Sequence, residues 1–335
     1  MSQEIYDLTI IGAGPTGLFA AYYAGFRTLR TKLIDSMPEL GGQITALYPD
    51  KDIYDVAGFP KVIGKELVRN LVEQAMQYEP TICLNEQVLE LHRLEDRLIQ
   101  LTTDKGEHLT RAALITAGIG LFTPRKFEQP ELQAFEDRGL YYFVKNIQAF
   151  RGKRLLVVGG GDSAVDWALN LEKIAGRVIL IHRRDQFRAH EGSVQQLMHS
   201  SVNVKLFYEL KAIFEDGQVR KVVIFHNKTK EEEKLDVDAV IACLGFIANL
   251  GPIKKWGLEL EGDEIVVNTK METNIPGIYA AGDVVTYPGK VKLIAVGFGE
   301  AATAVNNATA FIRPGASVFP GHSSTIMAKK GAKKA

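Results

Sequence analysis

Residues Ile5 to Gly17 read Ile-Tyr-Asp-Leu-Thr-Ile-Ile-Gly-Ala-Gly-Pro-Thr-Gly, and this stretch limits the possible folds more than any other. An apolar, β-prone run, Leu8 to Ile11, enters Gly12-x-Gly14-x-x-Gly17 without a spacer, and an Ala-rich helical pattern from Leu18 to Gly25 follows. A second apolar run, Lys32 to Asp35, ends in an acid eighteen residues after Gly17. Strand, glycine turn, helix and acid in that order describe a βαβ unit that holds a dinucleotide. Gly12 permits the tight turn, Gly14 lets the backbone approach a pyrophosphate, and Gly17 lets the helix pack close to the sheet. Thr16 lies in the same turn, where the helix N-terminus faces phosphate charge. Asp35, at the tip of the second strand, suits the ribose hydroxyls.

The next segment, Pro38 to Pro49, has loop chemistry, with Gly41-Gly42-Gln43 and then Tyr48. Paired glycines suit a backbone passing close to a ligand, Gln43 offers amide donors and acceptors, and Tyr48 is a candidate aromatic platform. Lys65 to Gln77 carries helical spacing, while Thr81 to Arg93, Leu98 to Thr103 and Ala112 to Thr116 read as strands. Ile119 to Arg125, with Phe122 and Pro124, breaks the pattern and marks a domain crossing.

Arg151 to Ala168 then repeats the opening logic: an apolar strand Leu155 to Val158, the glycines Gly159, Gly160 and Gly161, and a helix starting Asp162-Ser163-Ala164. Its second strand, Val178 to Ile181, ends in His182-Arg183-Arg184, with Arg188 one helical turn later. The first unit ends in an acid and the second in a basic cluster. An acid there favours a free ribose 2′-hydroxyl, whereas arginines grip a 2′-phosphate through bidentate, charge-assisted bonds. The second nucleotide is therefore expected to be NADP(H). Val204 to Phe214, Val219 to Asn227 and Leu235 to Leu244 read as further strands of this unit. The chain returns through Ile265 to Asn268 and Tyr279-Ala-Ala-Gly282-Asp283, whose acid can reach a ribityl chain or pyrophosphate. A small-residue helix is expected from Glu300 to Ala310, and the tail carries His322-Ser323-Ser324.

The pattern predicts an α/β protein of two Rossmann-like dinucleotide-binding domains, the NADP domain (118–247) inserted in an FAD domain (1–117 and 248–335, with an extension at 311–335). At 335 residues each domain can bury a core. Forty basic residues balance forty acidic ones, so no global field recruits nucleic acid or an anionic membrane. No run reaches the length of a membrane span, and the first strand begins too early to leave room for a signal peptide. Cys83 and Cys243 are single thiols in apolar segments, which fits a reducing cytoplasm and argues against a disulfide framework or a metal cluster.

From Tyr6 to about Ala310, the ordered set Gly-Ala-Gly-Pro-Thr-Gly, Leu-Gly-Gly-Gln, Gly-Gly-Gly-Asp-Ser-Ala, His-Arg-Arg-Asp and Tyr-Ala-Ala-Gly-Asp resembles the low-molecular-weight thioredoxin reductase family. That family carries a redox Cys-x-x-Cys before its second fingerprint. The matching stretch here, Tyr141 to Phe150, has no cysteine. The cysteine-free form, with Ala-Leu-Tyr-Pro after Gly-Gly-Gln and a His-Ser tail, resembles the thioredoxin-reductase-like ferredoxin–NADP+ reductases.

The resemblance implies FAD contacts at Asp35, Gln43, Tyr48, Val88, Phe122, Asp283 and Ser324. It puts Tyr48 on one flavin face and a tail ring, here His322, on the other, often across a homodimer. It implies hydride transfer between NADP(H) and flavin, then single-electron exchange with ferredoxin or flavodoxin, with no side-chain acid or base required. Two alternatives keep the same fold: an NADPH oxidase, quinone or diaphorase-type reductase, and a non-catalytic nucleotide-binding redox sensor.

Overall fold

The structure is a computed structural model that describes residues 4–94, 97–118, 120–144, 146–214 and 221–322, with backbone alone at 121–123 and 246–248. The chain divides into two compact units: Met1–Thr45, Ile53–Leu121 and Ala248–Ala335 form one, and Ala46–Asp52 with Phe122–Ile247 the other. The sequence pattern places 46–52 and Tyr48 in the first unit. The structure groups them with the second because Tyr48 packs against that unit's core around Trp167 and Ile241. Lys51 pairs there with Asp166, and the Ile147 amide donates to Asp50 Oδ2 at 3.3 Å.

The first unit is built on β1 (Ile5–Ile11). It lies between β2 (Thr31–Ile34) and the strand Glu107–Ile115, both parallel to it. Thr81–Cys83 extends the parallel side beyond β2, and Ile278–Ala280 also joins Glu107–Ile115 in parallel. Ile99–Thr103 and Val88–Arg93 continue the other side as antiparallel strands. Strands covered on both faces need unbroken apolar runs, and Leu8, Ile10, Leu33, Ile34, Leu114 and Ile115 are all fully buried. The helix α1 (Pro15–Phe26) packs against both Gly64–Met76 and the long helix Ile294–Ile312.

The second unit has a parallel sheet in the order Leu140–Tyr141, Ala239–Ala242, Arg154–Val158, Arg177–His182, Asn203–Leu206. The helix Asp162–Glu172 runs from its glycine turn, and an antiparallel sheet of Tyr208–Phe214, Lys221–His226 and Glu232–Asp236 is added to it. The crossing strands Leu121–Pro124 and Phe246–Asn249 pair with each other.

Several runs predicted as single strands are broken. Thr81 to Arg93 divides where Asn85 takes φ +52°, and Val204 to Phe214 divides at Phe207 with φ +66°. Leu235 to Leu244 splits between two sheets. The helix expected from Glu300 begins six residues earlier, at Ile294. Gly297 and Gly299 lie inside it, because tertiary packing outweighs their low helix propensity.

Candidate dinucleotide sites

The first glycine turn is closed from beneath and open above. Gly12 has φ +112°, and a Cβ there would come within 2.5 Å of the Thr116 carbonyl oxygen. Thr116 Oγ1 in turn donates to Gly12 O at 2.8 Å. A Cβ on Gly17 would overlap that same Gly12 oxygen, so the helix touches the turn directly. Gly14 is the contrast: a Cβ there would meet nothing within 4 Å. Gly14 is also the N-cap of α1, with no side chain bonded to the first-turn amides and Pro15 following. Those amides face outward from an open backbone, which is the arrangement an anion needs.

The flanking loops converge on this turn. Gly41 N donates to Ala13 O at 2.9 Å, and a Cβ on Gly42 would lie 2.9 Å from Gly14 Cα. A Cβ on Gly118 would stand 3.0 Å from Gln43 Nε2, so that amide lies beside the strand end. Asp35 accepts from Ala13 N at 2.5 Å and from Met37 N at 2.8 Å. Burial pushes its carboxyl above the usual range, and the two amides pull it partly back. Thr16 packs against Gly282 and Gly297, joining α1 to the Gly282–Asp283 turn and to the helix Ile294–Ile312.

Asp283 is half-buried and makes no hydrogen bond or ion pair among the described residues. Burial raises its carboxyl, and Lys290 and Lys292 offset part of that rise. Behind the turn, Glu300 is 5 % exposed and accepts from Gly282 N at 2.8 Å, Tyr287 Oη at 2.6 Å and Lys290 Nζ at 2.5 Å. Burial and this bond push the Tyr287 phenol up to about 12. Sequence reasoning misses Glu300, Lys290 and Tyr287. The only signal was an acid inside a small-residue helical run. An open Gly14, uncapped amides, a carboxyl at the strand tip and a second, unpaired carboxyl fit a dinucleotide with a pyrophosphate and a ribose.

Other assigned residues fall elsewhere. Val88 is buried and starts the strand Val88–Arg93. Phe122 lies in the crossing strand, with only its backbone described, and Ser324 lies outside the described residues. His322 is exposed, with its ring edge-on to Phe319 at 5.5 Å. Arg27 at the end of α1 donates to Ser317 O at 2.8 Å and Val318 O at 2.9 Å, tethering the tail at the helix end remote from the glycine turn.

The second glycine turn is supported differently. Gly159 has φ +152°, and a Cβ there would lie 2.5 Å from Cys243 O. The sequence pattern places His182 with the phosphate-gripping residues. Its ring instead lies against Gly160, buried, stacked on Phe187 at 5.2 Å and bonded to Gln186 O at 3.0 Å. A carbonyl can only accept, so Nε2 carries the proton. Burial, joined by the charges of Arg183, Arg184 and Arg188, lowers this histidine, and its bond to Gln186 O offsets part of that.

The segment after His182 folds back onto the turn. Arg188 N donates to Gly160 O at 2.6 Å, and His190 N donates to Asp162 Oδ1 at 2.9 Å. Asp162 is thus engaged in holding that segment. Gly161 caps the helix with no side-chain bond, and Ser163 is exposed in its first turn. Arg183, Arg184 and Arg188 are exposed, and none forms an ion pair among the described residues. They are available to an anion beside the turn.

Two such turns in two units define a protein built to hold two dinucleotides. The chain matches the model of the pyridine nucleotide-disulphide oxidoreductases over residues 6–308, and it belongs to that family. A ferredoxin–NADP reductase of Halalkalibacterium halodurans is 57% identical over 325 residues, covering 97% of this chain and 98% of its own. One of Symbiobacterium thermophilum is 56% identical, covering 96% and 98%. Among solved structures, Lactococcus lactis thioredoxin reductase in its FR conformation is 28% identical, with a TM-score of 0.79 over 92% of this chain and 99% of that one.

Proposed function

We propose that this chain is an FAD-dependent ferredoxin–NADP+ reductase. Near-full-length identity to reductases of that name supports the reading most, together with a second-unit stretch, Tyr141 to Phe150, that holds no cysteine. FAD and NADP(H) are its cofactors. Bound FAD supplies two-electron exchange with NADP(H) and one-electron exchange with the carrier. The protein's own residues bind, orient and insulate.

In the first unit, the amides at the start of α1 and the bare Gly14 backbone receive the pyrophosphate, Asp35 receives ribose hydroxyls, and Asp283 lies at the end of the adjoining strand. In the second unit, Gly159, Gly161 and the first turn of Asp162–Glu172, with Ser163, receive the NADP pyrophosphate. Arg183, Arg184 and Arg188 receive the 2′-phosphate, and His182 supports the turn from beneath. Cys83 and Cys243 are unsuited to thiol chemistry, because burial raises both thiols, Cys243 to about 12.

We also propose a homodimer working in the cytoplasm with ferredoxin or flavodoxin. The tether of the tail to Arg27 keeps His322 by the remote end of its own α1, which suits service to a second copy's flavin. Two raised, free thiols suit a reducing compartment. No helix among the described residues is long and apolar enough to cross a membrane.

The test is NADPH oxidation by FAD-loaded protein coupled to cytochrome c reduction, with and without ferredoxin, and repeated with NADH. Strong stimulation by ferredoxin and preference for NADPH are expected. Turnover indifferent to ferredoxin would overturn the proposed acceptor.

A further inference from the structure

We infer that Glu300, charge-compensated by Lys290, is the positioning residue that sets the Gly282–Asp283 turn for the flavin nucleotide; this rests on the first unit being the FAD site.

Lys290 and Glu300 form an ion pair in which both side chains are 5% exposed. Burying a pair of opposite charges is weak evidence of stability, because desolvation offsets much of their attraction. This pair is fully used, however. Glu300 Oε2 accepts the Gly282 amide at 2.8 Å, while Oε1 accepts both the Tyr287 hydroxyl and the Lys290 ammonium. One carboxylate therefore joins three elements: the helix Ile294–Ile312 that carries it, the loop holding Tyr287 and Lys290, and the turn after strand Ile278–Ala280.

That turn has little freedom. Gly282 has φ +88°, and a Cβ on it would come within 2.9 Å of Thr16 Oγ1 in the first turn of α1. Glu300 holds this backbone from behind while Thr16 touches it in front. The next residue, Asp283, points a carboxyl with no protein partner among the described residues. A charged acceptor bonded to the amide just before Asp283 fixes where that carboxyl stands. Lys290 cancels the charge that would otherwise repel it; burial is what chiefly raises the Asp283 carboxyl, with Lys290 and Lys292 lowering it and Glu300 raising it less.

The test measures FAD binding to the apoprotein by quenching of flavin fluorescence, beside direct NADP+ binding to the same samples. Loss of a charge-assisted bond predicts a rise of roughly tenfold or more in the FAD Kd for Glu300→Ala. NADP+ affinity should not change. Glu300→Gln made together with Lys290→Met keeps an acceptor for Gly282 N and leaves no unpaired buried ammonium, so it should stay within about threefold of wild type, a rescue by shape that a purely ionic role would not give.

Asp283→Ala combined with Glu300→Ala should weaken binding little more than the worse single variant, because one residue acts through the other. Full multiplication of the two losses, or wild-type FAD affinity in Glu300→Ala, overturns the proposal. If Glu300→Ala does not fold, Lys290→Met decides. Weakened FAD binding, restored by adding Glu300→Gln, supports the proposal, and unchanged binding overturns it. Failure of the wild-type protein to bind FAD would instead sink the assignment of the first site.

Discussion

Replacing Gly14 with alanine separates folding from binding at the first turn. In the structure Gly14 has φ −69° and ψ −177°, a conformation open to any L-residue, and the added methyl meets nothing within 4 Å. Two small terms then oppose each other. Restricting the unfolded chain stabilises by about 0.4–1 kcal/mol, while alanine is a poorer N-cap than glycine by a comparable amount. The apoprotein should therefore unfold within about 1 kcal/mol of wild type. The methyl stands where a pyrophosphate must approach the α1 amides. Losing two charge-assisted bonds costs about 3 kcal/mol or more, so the FAD Kd should rise roughly a hundredfold or more.

Gly17→Ala provides the comparison, because its methyl overlaps the Gly12 carbonyl and lies 2.8 Å from Thr116 Oγ1. Backbone cannot step aside as a side chain can, and overpacking of this kind costs about 1–3 kcal/mol. Stability and FAD binding should fall together. Urea melts of both apoproteins and fluorescence titrations with FAD measure the two effects. If Gly14→Ala binds FAD within threefold of wild type, the turn is not the pyrophosphate cradle and the reasoning fails.

Three further outcomes follow from the same geometry. Arg183→Ala combined with Arg188→Ala should raise KM for NADPH roughly tenfold or more while leaving KM for NADH nearly unchanged, because charge-assisted phosphate bonds are lost only with the former; parallel kinetics with both nucleotides check this. Asp283→Asn should stabilise the apoprotein at neutral pH. Burial raises this carboxyl, so its ionised form carries a penalty that is absent below the ordinary aspartate range and sets in as pH rises through the raised pKa. Urea melts at several pH values should show the gain shrinking toward acid. Truncation before Phe319 should alter hydride- or electron-transfer rates, and stopped-flow rates equal to wild type would remove the tail from the mechanism.

The parts legible in the sequence are those where backbone chemistry leaves one choice. Gly12 and Gly159 sit at φ values that side chains avoid, and each is flanked by an apolar strand and a helix of regular period, so pattern and geometry agree. The broken strands show where pattern alone runs out. Val204 to Phe214 is continuously β-prone, but nothing in composition marks Phe207, a bulky residue held at φ +66° where the chain leaves one sheet for another. The grouping of Ala46–Asp52 with the second unit was also hidden. It depends on Tyr48, Asp50 and Lys51 meeting residues about a hundred positions away.

At the sites, charge was readable and commitment was not. Arg183, Arg184 and His182 are adjacent in sequence and share a positive character, yet the strand ends at His182, whose ring lies against Gly160, and the arginines follow outside the strand and exposed. Asp162 and Asp35 look like equivalent acids at helix or strand ends. Asp162 accepts the His190 amide from the segment that folds back on its turn, while Asp35 accepts the Ala13 and Met37 amides beside the open turn. Glu300 is the furthest case. A lone acid in a run of alanines and glycines reads as a solvated helix position, and only the fold brings Gly282, Tyr287 and Lys290 to its two oxygens. Local sequence specifies which groups can bind a nucleotide. Which of them the protein already engages is decided by long-range packing.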